Sequence, residues 1–223
     1  MYYYDYYKMP GVQEICMAVK QTENRELREM AISAMATYFT DKIITNHDGF
    51  EKSIIIPIPQ HTGEADYTKE IAERVGEVSG SIVLDILKTE PRDSFYCTKK
   101  KDAFVEFEFN VPSVAPILEA ENCFGADTMP EIYLLDNVIA TGKTFKKALT
   151  CLSELVPTPD FSKDLSTYSL VEKIARSALF RYIKPLVYGI DTTSLSLAMA
   201  RDLQLSCITT FPKDGVVLYS DNC

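Results

Sequence analysis

One stretch constrains the fold more than any other. Glu131-Ile132-Tyr133-Leu134-Leu135-Asp136 is an apolar run closed by a carboxylate, residues 137–143 make a tight loop, and residues 144–155 place Phe145, Ala148, Leu149 and Leu152 on one helical face. A continuous apolar strand is covered on both sides. Strands of that kind belong to parallel sheets, whose members are joined by helical crossovers, so the chain has to repeat this strand and helix pattern elsewhere.

It does so. Ser53-Ile54-Ile55-Ile56-Pro57-Ile58-Pro59 reads as a second buried strand, followed by a loop over residues 60–64 and an amphipathic helix over 65–78 with Tyr67, Ile71, Ala72 and Val75 inward. Residues 81–87 read as a third strand, Ala103-Phe104-Val105-Glu106-Phe107-Glu108-Phe109 as a half-exposed one from its alternation, and 88–101 as a lysine-rich loop. After a polar connector, helices over 170–183 and 193–203 alternate with strands over 186–190 and 206–211. Upstream, Ile15, Met17, Ala18, Leu27, Met30, Ala31 and Met35 recur at helical spacings, which predicts two helices broken near residues 21–23. The expected fold is α/β, a central parallel sheet of about five strands flanked by helices, with a helical N-terminal segment. The expected organisation is a single domain over residues 1–223, with a helical segment at 1–50, a core at 51–156 and additional α/β elements at 157–223.

The loop that closes the first unit carries the chemistry. Ala140-Thr141-Gly142-Lys143-Thr144 opens a helix, where backbone N–H groups and the positive end of the helix suit a phosphate; Gly142 permits close approach and the threonine hydroxyls add donors. Asp136 would then lie near the sugar of a sugar phosphate. A Walker A loop also ends in Gly-Lys-Thr, but it requires glycine where this chain has Asn137. An ordinary turn ending a strand is the plainer alternative.

Charge narrows the partners. A formal net charge of −9, from 32 acids and 23 bases, repels a phosphodiester backbone, so nucleic acid is an unlikely partner. No apolar run approaches the roughly 20 residues of a membrane-spanning helix, and the start lacks the regions of a signal peptide, so the expected location is the cytoplasm with no membrane association. The 6 cysteines are scattered without a CxxC pair and read as reduced small hydrophobes. The tyrosines from Tyr2 to Tyr7 read as a packed edge or an oligomer contact, which leaves a homodimer open, with base stacking as the lesser alternative.

The segment from Ile132 to Thr144 resembles the phosphoribosyl pyrophosphate (PRPP) motif of type I phosphoribosyltransferases: apolar residues, two acids, two apolar residues, then Ala-Thr-Gly-x-Thr. Asn137 stands where that family has its second acid. Residues 15–20, Arg25-Glu26-Leu27 and the strand ending Pro57-Ile58-Pro59 extend the resemblance toward the ComF-like branch, over residues 10–155 in all. Where that branch has Arg-Gly-Phe-Asn-Gln, this chain has Gly63-Glu64-Ala65-Asp66-Tyr67.

The resemblance implies a protein that binds PRPP, or a nucleotide 5′-monophosphate, with Mg²⁺ and transfers a 5-phosphoribosyl group to or from a nitrogenous acceptor. Asp136 and Asn137 take the catalytic positions at the ribose, with Asp136 also toward the metal. Ala140, Thr141, Gly142, Lys143 and Thr144 cradle the 5′-phosphate. Gln60 and His61 meet the pyrophosphate, and Lys99 and Lys101 sit on the mobile loop that closes over it. Ala140 replaces the base of six-oxopurine enzymes, which disfavours hypoxanthine and guanine. Because Asn137 carries no charge, a non-catalytic sensor of PRPP or a nucleotide on the same fold is the other reading.

Overall fold

Ile54 and Ile56 pack on one side of the sheet and Ile55 on the other, as successive strand residues must; Ile132 and Leu134 oppose Tyr133 and Leu135 in the same way. Both sides are apolar, so helices have to cover both. The computed structural model describes residues 2–21, 23–46, 52–91, 106–109, 117, 120–125, 127–156, 164–203, 209–210 and 216–218. In chain order these form β1 (Tyr2–Asp5), α1 (Val12–Ala18), α2 (Arg25–Asn46), β2 (Ser53–Pro57), α3 (Asp66–Ser79), β3 (Ile82–Val83), β4 (Leu87–Thr89), β5 (Phe107–Phe109), β6 (Glu131–Ile139), α4 (Lys143–Ser153), α5 (Leu170–Leu179), β7 (Lys184–Ile190), α6 (Leu197–Asp202), β8 (Thr209–Thr210) and β9 (Val216–Leu218).

The main sheet runs β3-β2-β6-β7-β1-β9-β8. Its first five strands are mutually parallel, and β9 and β8 close one edge antiparallel. The α/β fold with a five-stranded parallel sheet flanked by helices is therefore as expected. Helices α1, α2 and α3 bury Val12, Ile32, Phe39, Ile71 and Val75 against one face. Helices α4 and α5 bury Phe145, Leu152, Leu170 and Ile174 against the other. Among the described residues no helix is long and apolar enough to cross a membrane.

The placement of strands differs from the sequence reading in several respects. The fifth parallel strand is β1, drawn from the tyrosine run, whereas Thr209 and Thr210 of the expected 206–211 strand pair antiparallel at the far edge. The start of the chain is thus an inner strand preceding the helical segment, because consecutive tyrosines fit a pleated, half-buried surface. Tyr3 is buried and donates its hydroxyl to the Pro185 carbonyl at 3.1 Å. The expected 81–87 strand divides: Ile82 and Val83 extend the main sheet beside β2, and residues 87–89 pair with Phe107–Phe109 as a separate antiparallel ribbon.

The tyrosine strand also covers a lysine. Lys42, only 3% exposed, lies 5.1 Å from the Tyr3 ring centre and 4.7 Å from that of Tyr38. Burial pushes its ammonium pKa down to about 8. An unfolded lysine keeps its proton to about pH 10.4, so between these values the unfolded chain binds more protons and Lys42 adds stability as pH rises. The stability of the parent relative to Lys42→Met is expected to increase by about 1 kcal/mol between pH 7 and pH 9. Urea unfolding of both proteins at the two pH values measures this, and a difference that does not move with pH would place the ammonium in water.

Candidate functional site

Adjacent parallel strands β2 and β6 leave the sheet in opposite directions. From β2 the chain passes through α3 on one face to β3 on one side; from β6 it passes through α4 and α5 on the other face to β7 on the other side. A crevice therefore opens between the carboxyl ends of β2 and β6. Switch points of this kind are where open α/β sheets bind ligands. The two loops singled out in the sequence, 60–64 and 140–144, leave from these same two strand ends.

The β2 loop is closed on itself. Gln60 donates its backbone N–H to the Glu64 carbonyl at 2.8 Å and accepts one from Gly63 at 3.1 Å. Its side chain is held at both ends, Nε2 donating to the Ile58 carbonyl at 3.0 Å and Oε1 accepting from the Tyr67 hydroxyl at 2.6 Å. Gln60 thus shapes the loop, while His61 stands exposed on it. The β4–β5 ribbon is fastened to the same loop: Thr89 donates its N–H to the Gly63 carbonyl at 3.1 Å. Gly63 has φ 106°, and a Cβ there would lie 2.8 Å from the Thr89 oxygen, so only glycine permits this approach. Lys99 and Lys101 lie outside the described residues.

The β6 loop is shorter than expected, because the strand continues three residues past Asp136. Val138 and Ile139 pair with Gly189 and Ile190, and the Ile139 carbonyl accepts from the Asp191 N–H at 2.8 Å. Residues 140–142 then turn directly into α4. Thr141 and Lys143 are exposed, Ala140 and Thr144 half-buried, and Gly142 buried at φ 76°. A Cβ on Gly142 would lie 2.4 Å from Met199 Cγ and 3.1 Å from Leu203 Cδ1. The space left by its missing side chain is therefore filled by α6. The accessible side of the loop is that of Thr141, Lys143 and Thr144.

The longer strand also separates Asp136 from Asn137. Neighbouring residues of one strand point to opposite faces, so these two side chains do not form a pair. Asp136 is half-buried, and its Oδ1 accepts from the Asn137 N–H at 2.7 Å. Asn137 is 2% exposed and turned into the protein, where its Nδ2 donates to the Cys16 carbonyl at 3.0 Å. The Cys16 thiol returns a 3.7 Å contact to the Asn137 carbonyl, and burial pushes that thiol up to about 12. The Asn137 amide thereby fastens α1 to β6.

Two carboxylates at neighbouring strand ends escaped the sequence reading. Asp191, just beyond β7, accepts from the Thr193 N–H at 2.9 Å, the Thr193 hydroxyl at 2.6 Å and the Ser194 N–H at 3.2 Å. Asp5, at the end of β1, accepts from the N–H groups of Tyr7 and Lys8 at 3.1 and 3.0 Å and from the Thr192 hydroxyl at 2.7 Å. Burial alone would raise the Asp5 pKa, but these bonds hold it below the usual value. Both are turn-forming aspartates. The signal for Asp191 was present, since Asp-Thr-Thr-Ser after an apolar run is turn chemistry.

No group of three or more His, Cys, Asp or Glu side chains able to hold a metal occurs among the described residues. A groove of about 180 Å³ lies between α4, α5 and α6, and one of about 160 Å³ beside Tyr168; neither is lined by Asp136 or residues 140–144. No family model, curated protein or solved structure matches the chain.

Proposed function

We propose that the crevice between β2 and β6 binds PRPP and that the protein transfers a 5-phosphoribosyl group to or from a nitrogenous acceptor, on a fold of the type I phosphoribosyltransferase kind. One observation carries this reading: the loop with the PRPP-like sequence and the loop after the Pro-x-Pro strand flank the switch point of the sheet. The first-turn N–H groups of α4, with Thr141, Lys143 and Thr144, take the 5′-phosphate. Asp136 serves the ribose hydroxyls and the positive charge that develops as pyrophosphate leaves C1. The 60–64 loop, with His61 exposed and the β4–β5 ribbon fastened beside it, takes the pyrophosphate end.

Mg²⁺ fits this site only as a companion of the substrate. It commonly binds through one or two carboxylates plus substrate phosphates, keeping its remaining waters. Asp136 is the side chain that would hold it, and bound there it would neutralise charge on the departing pyrophosphate. The protein's own part is to position the 5′-phosphate and ribose and to supply the Asp136 carboxylate.

A second reading has its own observation. With Asn137 uncharged and turned inward, only Asp136 of the two motif positions is left to supply a carboxylate, which favours a sensor of PRPP or a nucleotide 5′-monophosphate over an efficient catalyst. Calorimetry with PRPP and Mg²⁺, followed by pyrophosphate release over a panel of bases and amines, separates the two. Asp136→Asn is expected to slow release about 30-fold while weakening binding less, because a ribose hydrogen bond survives and the carboxylate charge does not. Saturable binding without release supports the sensor; absence of binding would sink both.

A further inference from the structure

Gly142 is buried although Thr141 and Lys143 on either side of it are exposed. What buries it is Met199, whose Cγ would be 2.4 Å from a Cβ at this position, together with Leu203. Helix α6 reaches the core through Leu195, Ala200 and Leu203, all of them buried. Its end is fastened at Asp202, which contacts Lys146 of α4 at 2.8 Å and the Arg181 guanidinium at 3.1 Å, while Arg181 also donates to the Asp202 carbonyl at 2.9 Å. Lys146 lies one turn beyond the loop, and its N–H donates to the Gly142 carbonyl at 3.0 Å. The loop is thus backed by Met199 and Leu203 on one side and exposed at Thr141 and Lys143 on the other.

We propose that Met199 is a positioning residue for the phosphate loop, acting through Gly142. The inference rests on the reading of residues 140–144 as that loop. A left-handed glycine has wide conformational freedom, and a loop that must present its N–H groups to an anion gains from having that freedom removed before the anion arrives. Met199 removes it by filling the Cβ side of Gly142. Asp202 contributes less, because its ion pairs are exposed and such pairs add little.

Hydrogen–deuterium exchange of the ligand-free protein tests the clamp without any ligand. In Met199→Ala the amides of residues 142–145 are expected to exchange faster while those of 131–136 stay as in the parent. PRPP with Mg²⁺, and separately inorganic phosphate, are then titrated by calorimetry. PRPP affinity is expected to fall about tenfold in Met199→Ala, to be restored in Met199→Leu, and to change less than twofold in Asp202→Asn. Where turnover is measurable, the loss falls on KM and not on kcat, which a general loss of stability would not select. Unchanged exchange in Met199→Ala overturns the clamp, and faster exchange with unchanged affinity overturns its role in positioning. If the parent binds neither probe, the function proposed for the site fails, and the exchange data still decide the clamp.

Discussion

Asn137→Asp lowers the stability of the protein by about 3 kcal/mol at pH 8 and does not raise turnover. Under the proposed reading the substitution would supply the second acid of the resembled motif, so on the sequence alone it would count as a repair. In the structure it exchanges a buried amide that donates to the Cys16 carbonyl for a carboxylate held against that same oxygen. The donor is lost and a charge is buried beside a like partial charge. Burial raises the new carboxyl pKa above its unfolded value, so the protein is penalised above that pKa and recovers as pH falls and an O–H donor returns. Urea unfolding at pH 8 and pH 5, with Asn137→Ala as the reference lacking any charge, shows the pattern directly. Full stability at pH 8 together with faster pyrophosphate release would mean that the side chain faces the crevice.

The other large effect is expected at Gly142. Valine there must adopt φ near 76° and place its Cβ inside contact distance of Met199. The left-handed conformation costs about 1–2 kcal/mol and overpacking about 1–3 kcal/mol, so a loss of about 4 kcal/mol is expected for the branched side chain. The variant therefore loses loop structure as well as any sugar phosphate bound there. Gly142→Ala in a Met199→Ala background separates the parts, since it relieves the overlap and leaves the φ cost of about 1–2 kcal/mol. Equal costs in both backgrounds would mean that Met199 yields freely.

These outcomes mark where the sequence was legible. The continuous apolar runs at 54–56 and 132–135 reported strands covered on both faces, and the helices between them followed from spacing, because burial on a regular element leaves a periodic trace. Gly142 was visible as a glycine that a tight turn requires. The occupant of its empty side was not, since Met199 reaches it from a helix more than fifty residues downstream. The end of β6 was misjudged for a related reason. Asp136-Asn137 looks like a loop start, yet Val138 and Ile139 have partners in β7 and the pairing carries the strand on. That extension decides which face Asn137 takes, so three residues in a boundary change what the side chain is packed against. Asp5 and Asp191 were overlooked because a carboxylate that closes a turn and one that binds a ligand look alike until their acceptor bonds are known.

The position of β1 also bears on how the protein is made. Tyr4 pairs with Gly189 and Asp5 with Ile190, and Tyr3 reaches Pro185, 182 residues away in the chain. Residues 2–5 are synthesised long before these partners exist, so the nascent chain carries a tyrosine-rich segment without its strand partners until residues 184–190 have emerged. Such distant pairing makes folding slow, and an exposed strand edge in the meantime favours aggregation. Any shortened chain that stops before β7 leaves β1 with neither its parallel neighbour nor β9, so such a chain forms at best a partial sheet around β2 and β6.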